Sequence, residues 1–170
     1  MKILYFFLLA TLTLISISCV QNKINSSKTK EGSTQPSKLI GSWKVIEYSD
    51  FDTLTGKWSD RYGQHPRGYF IYTKSGIVVI SISTGNQMNV SEDSAKKMNV
   101  NYHQMYKNNA FSYFGTYTVD WEKSIVTHYV KGGSLLWYID TDQPRSFILR
   151  SDTLIIGDNK TTKRVLVRED

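Results

Sequence analysis

An all-β fold, eight antiparallel strands closed into an up-and-down barrel with one short helix, is what this 170-residue chain predicts. Three observations predict it. From Leu39 onward apolar and polar residues alternate with a period near two. Turn residues arrive at short intervals between the alternating runs. Aromatic residues make up 13% of the chain, with 11 Tyr and 4 Trp, a composition that suits pleated surfaces. Eight antiparallel strands close into a barrel just wide enough for side chains or one small ligand, and closure leaves no exposed edge.

"MKILYFFLLATLTLISISC" carries one cation, Lys2, then an apolar run from Ile3 to Ile17, then Ser18 and the single cysteine, Cys19. Residues 1–18 are expected to be a signal peptide. A lone cysteine in an exported chain has no internal disulfide partner. Its place behind the apolar run and a small residue resembles a bacterial lipobox, in which the thiol is lipidated. Ser16 stands where that pattern prefers Leu. Residues 20–38, "VQNKINSSKTKEGSTQPSK", offer almost nothing to bury, so residues 19–38 are expected to be a lipidated cysteine and a flexible tether. The barrel then occupies residues 39–170, exported to the cell envelope and held at the membrane. The formal charge of +6 includes Lys23, Lys28, Lys30 and Lys38 of the tether, and the other cations are scattered singly. This is solvation rather than a nucleic-acid footprint, and no nucleic-acid partner is expected.

Within the domain, Ile40–Tyr48 forms the first strand, with Trp43, Val45 and Glu47 on one face, followed by a polar loop containing Gly56, Trp58 and Gly63. "GYFIYTKSGIVVISIS" reads as a hairpin: Gly68–Thr73 rises, Lys74-Ser75-Gly76 turns, and Ile77–Ser83 descends. Between Ser91 and Asn108, Ala95, Met98, Tyr102 and Met105 recur at helical spacing. This helix either covers the core or acts as a lid whose methionines adapt to a ligand. In "AFSYFGTYTVD" the odd face (Phe111, Tyr113, Gly115, Tyr117, Val119) should point inward. Ser124–Lys131, Arg145–Arg150, Thr153–Gly157 and Thr162–Arg168 complete the eight.

Gly41-Ser42-Trp43 at the start of the first strand resembles the Gly-x-Trp signature of the lipocalins. More specifically, "LIGSWKVIEY", "PRGYFIYTKSG", "SYFGTYTVD", "SIVTHYV" and "QPRSFILRSDTLII" follow one another as in the bacterial lipocalin-like domain family, over nearly all of residues 39–168. "GGSLLWYIDTDQPR" departs from the expected Pro- and Asn-containing segment. The resemblance implies a barrel with a pocket, closed at one end by Trp43, with a basic residue of the last strand, Arg164 or Arg168, packed on the indole. It does not imply one activity, since related barrels bind apolar molecules or isomerise or cyclise them.

Candidate chemistry is sparse. His65, His103 and His128 are isolated from one another, so no metal site is expected; no nucleophile motif or phosphate loop is present, and no cofactor is expected. His128 shares a face with Val126 and Val130, and Arg145 with Phe147 and Leu149. Either Arg145 pairs internally with Glu47 and His128 is a neutral core histidine bonded to a tyrosine, or both orient a ligand together with Tyr117. His128's strand is apolar on both faces, which leaves its direction open. The expected ligand site is Trp43, Tyr113, Tyr117, His128 and Arg145, for a small, mostly apolar molecule bound by a monomer. One alternative is a cofactor-free isomerase or cyclase with His128 as acid or base and Tyr117 as second donor. The other is a structural or interaction lipoprotein with a filled core. A cavity of about 300 Å³ or more would favour binding or catalysis.

Overall fold

A computed structural model describes residues 38–86, 91–99 and 109–169. The signal segment, the tether, and Tyr102, His103 and Met105 of the expected helix lie outside the described residues. Among the described residues nine strands run β1 (Gly41–Asp52), β2 (Lys57–Asp60), β3 (Arg67–Tyr72), β4 (Ile77–Ser83), β5 (Ala110–Asp120), β6 (Ile125–Gly133), β7 (Asp142–Arg150), β8 (Thr153–Ile156) and β9 (Thr162–Arg168). From β3 onward each pairs antiparallel with its sequence neighbour, and β9 returns to β1. Eight strands therefore close the barrel, as the alternation predicts.

β2 is the addition. It pairs only with the far end of β1, Ser49 opposite Asp60 through Asp52 opposite Lys57. All four of its residues are exposed, so it carries no inward-facing apolar position by which period-two reading finds a strand. Its turn is set by Asp52, whose side chain accepts from the Leu54 backbone N–H at 2.8 Å, and by Gly56 at a φ of 66°, a conformation glycine adopts without strain.

β1 is not a uniform strand. Its pairing with β9 passes from Val45 opposite Leu166 directly to Glu47 opposite Val165, leaving Ile46 as an extra residue in a β-bulge. A one-residue shift exchanges the two faces of a strand. Before the bulge Trp43 and Val45 point into the core, and after it Tyr48 does. Glu47, expected on the Trp43 face, is instead carried outside, where its carboxylate meets Lys163 Nζ at 2.6 Å. The expected Arg145–Glu47 pair is thereby overturned.

The expected helix is present in the described residues as α1 (Glu92–Lys97), capped by the Ser91 side chain accepting from the Ser94 N–H. Ala95 is buried, but Met98, expected on the same covered stripe, is exposed. β7 begins at Asp142, earlier than the expected Arg145, and contains Pro144 opposite Thr127. Proline lacks the ladder N–H and so disguises the strand start in sequence. The core is continuous through the barrel: Trp43, Phe70, Tyr72, Ile80, Val126, Leu154 and Leu166 are among its buried members. On β5 the odd face points inward as expected, with Phe111, Tyr113 and Gly115 buried. Gly115 cannot be enlarged without a shift of backbone, because a Cβ there would collide with the Tyr129 carbonyl oxygen of β6.

Candidate functional site

The two ends of the barrel differ. At one end, where Trp43 lies opposite Arg168, the indole is wholly buried and its Nε1–H donates to the Leu39 carbonyl at 2.8 Å. The Arg168 guanidinium lies 4.2 Å from the ring centre and donates to the carbonyls of Ile40 (2.8 Å) and Lys38 (2.6 Å). Of the two arginines the resemblance offers, Arg168 is thus the one on the plug. Such a stack is favourable by about 0.5–2 kcal/mol, so it fixes the end of the barrel without defining the fold.

At the other end, five to seven residues further along β1 and so roughly 16–23 Å away, Tyr48 lies opposite Arg164 and Asp50 opposite Thr162. A cavity of about 380 Å³ opens here. This volume is above the roughly 300 Å³ that favours binding or catalysis over a filled core. Its apolar walls include Phe70, Ile80, Phe111 and Ile156, one each from β3, β4, β5 and β8. Tyr138, on a 3-10 turn at Leu136–Tyr138, sets its ring edge-on to Phe111 and Tyr113 at 6.3 and 6.1 Å between centres. This rim turn occupies the "GGSLLWYIDTDQPR" segment. No residue of α1 lines the cavity.

Three arginines (Arg61, Arg145, Arg164) and two aspartates (Asp50, Asp158) line the opening, so cations prevail. Both aspartates are engaged. Asp50 Oδ1 accepts from Arg164 at 2.6 Å, while the Arg164 guanidinium stacks 3.6 Å from the Tyr48 ring centre. Asp158 accepts backbone N–H groups of Lys160, Thr161 and Thr162, which hold its carboxyl far below the usual range. Arg145, half-buried, donates to Gln143 Oε1 at 2.8 Å and to the Pro144 carbonyl at 2.9 Å. Among the described residues it has no carboxylate partner.

The interior polar group is His128, fully buried on β6 and at the cavity wall. The structure resolves its direction: it points inward. Its Nε2 lies 2.9 Å from the Tyr72 hydroxyl and its Nδ1 2.6 Å from the Tyr113 hydroxyl. Burial, and secondarily the Arg145 charge, lowers its pKa to about 3, so the ring is neutral. Burial likewise raises Tyr72 and Tyr113, and both are neutral phenols at physiological pH. Arg145 lines the same cavity as Tyr113 and His128, and its charge lowers His128 and opposes the rise of the two phenols.

Of the five residues expected to form the ligand site, the fold brings Tyr113, His128 and Arg145 together at the cavity wall. Trp43 is not with them, because it plugs the opposite end. Tyr117 is not either: its hydroxyl donates to the Thr73 carbonyl at 2.9 Å and its ring packs edge-on to Tyr72. Tyr117, expected as the second donor with His128 as acid or base, is thus bonded to Thr73, and the histidine's own partners are Tyr72 and Tyr113. Sequence reading missed Tyr72, although "GYFIY" alternates so as to put Phe70 and Tyr72 on one face. It also missed Tyr138 and Arg164 as cavity residues.

Comparison with curated proteins returns no match. Comparison with family descriptions returns the lipocalin-like domain over residues 40–168, the interval from the strand that carries the Trp43 plug to the end of β9. With that match spanning most of the sequence and a closed eight-stranded barrel plugged at one end, the chain belongs to the lipocalin-like domain family.

Proposed function

We propose that this barrel binds a small, mostly apolar molecule in the cavity opposite the Trp43 plug, with the polar end of the molecule against Arg145. The observation that carries this reading is Arg145 itself: a half-buried guanidinium at an aromatic cavity that, among the described residues, donates only to neutral oxygens. A cation held away from bulk water is costly unless an opposite charge offsets it, and here the ligand supplies that charge. The size of the cavity and its mixture of apolar wall and a few convergent polar groups suit a ligand site. Phe70, Ile80, Phe111 and Ile156 would receive the apolar body.

The chain is exported and anchored at the membrane of a bacterial cell envelope through lipid on Cys19, with residues 20–38 as its tether. Support for this part comes from the Lys2 cation, the apolar run and the single cysteine. Native mass spectrometry of the full-length protein, purified without added ligand, tests the binding function. A co-purifying small molecule released on denaturation is expected. Protein of bare mass that also binds no apolar acid on titration would refute it.

A further inference from the structure

We infer that the Tyr72–His128–Tyr113 chain is polarised in one direction, so that Tyr113 presents its hydroxyl proton to the cavity and, with Arg145, selects a ligand whose polar end is an oxyanion such as a carboxylate. This deepens the proposed binding function and rests on it.

A neutral imidazole carries one N–H and one bare nitrogen, and which is which follows from completing the hydrogen bonds around it. Two arrangements are possible. In one, Tyr72 donates to Nε2, Nδ1–H donates to the Tyr113 oxygen, and the Tyr113 proton is left over. In the other, Tyr113 donates to Nδ1, Nε2–H donates to the Tyr72 oxygen, and the Tyr72 proton is left over. The surroundings of the two phenols separate these. Tyr72 is 1% exposed, does not line the cavity, and has His128 as its sole hydrogen-bond partner among the described residues. Its leftover proton would be buried without an acceptor. Tyr113 lines the cavity, where a ligand can accept. Leaving a buried donor unmet disfavours the second arrangement by about ten- to a hundredfold.

The consequence is chemical. Tyr113's oxygen already accepts from Nδ1–H, so what it offers the cavity is chiefly its proton, and Arg145, which lines the same cavity, donates only. At Tyr113 and Arg145 a ligand head that only donates meets no acceptor, the two aspartates of the opening being engaged by Arg164 and by backbone N–H groups, whereas a carboxylate meets an O–H and a guanidinium together. Tyr72 touches no ligand in this arrangement. It is a positioning residue, setting the sense of the chain from behind.

Two measurements on the full-length protein test this. The first is a two-bond proton–nitrogen NMR correlation of the histidine rings, with His128 assigned by the signals lost in His128→Gln. The expected spectrum shows hydrogen on Nδ1 and a bare Nε2; hydrogen on Nε2, or an even mixture, overturns the inference. The second compares 2-naphthoate, 2-naphthylmethylamine and naphthalene as probes. Wild-type protein should prefer the naphthoate, and Tyr113→Phe should lower the ratio of naphthoate to naphthalene affinity by about ten- to a hundredfold. An unchanged ratio, or amine binding equal to that of naphthoate, overturns the selectivity while leaving the cavity a binding site. If none of the three binds, the proposed function falls together with the selectivity, and naphthalene distinguishes that failure from the other.

Discussion

Replacing His128 by glutamine removes a group that remains uncharged in the folded barrel down to a pKa of about 3, against an ordinary value of 6.5. The sign of the effect follows from linkage. Between these two pH values the unfolded chain binds a proton at His128 and the folded chain does not, so lowering pH favours unfolding. The loss begins as pH falls through 6.5 and is complete near 3. At 1.36 kcal/mol per pH unit, the 1.5 units between 6.5 and pH 5 correspond to about 2 kcal/mol. Wild-type protein should therefore lose about 2 kcal/mol more than His128→Gln between pH 7 and pH 5. Urea unfolding followed by tryptophan fluorescence at the two pH values gives this difference. Glutamine retains a donor and an acceptor for Tyr72 and Tyr113, and any constant cost of the substitution cancels between the pH values. The carboxylates held low by hydrogen bonds, Asp52, Asp120, Asp158 and Glu169, are common to both proteins and cancel likewise. A difference that stays flat within about 0.5 kcal/mol across the interval would refute the neutral, buried histidine.

Three other substitutions probe the barrel and its anchorage. Gly115→Ala places a Cβ against the Tyr129 carbonyl oxygen, a backbone atom that moves only with the β5–β6 pairing, so stability should fall by about 3 kcal/mol or more in urea unfolding. Arg168→Ala removes the stack on Trp43 and two hydrogen bonds to carbonyls; a stability loss of about 1–3 kcal/mol is expected, with ligand affinity unaltered because the cavity lies at the other end. Cys19→Ala should move the protein from the membrane fraction to the soluble fraction; retention at the membrane would identify the apolar segment as a permanent anchor instead.

Much of the fold is legible in sequence because strand alternation is a local signal. Tyr113 and Gly115 fall on the inner face of β5 simply by parity, and Trp43 announces the first strand with its plug. The failures share a physical cause: each depends on pairing between distant strands. The Ile46 bulge is visible only in the shift between β1 and β9, and it alone decides whether Glu47 or Tyr48 enters the core. β2 has no buried residue at all, so its existence depends on an edge of β1 left over beyond β3. The His128 site joins β3, β5 and β6, and its Tyr72 contact spans 56 positions of sequence between strands that are not neighbours. Composition and period carry no information about which side chains meet across a barrel. Arg145 is legible as an inward charge from its place beside Phe147 and Leu149, but that it lacks an acidic partner among the described residues follows only from the bulge that removes Glu47.

Whether Arg145 awaits a ligand is decided by affinity and stability measured on one variant. Titration of full-length protein with 2-naphthoate, for wild type and Arg145→Ala, should show affinity falling by about ten- to a hundredfold, as for a lost hydrogen bond to a charged group. The melting temperature should hold, because Glu47 is satisfied by Lys163 and no carboxylate is stranded when the guanidinium is removed. An Arg145→Ala protein that melts far below wild type yet binds 2-naphthoate with undiminished affinity would contradict the account.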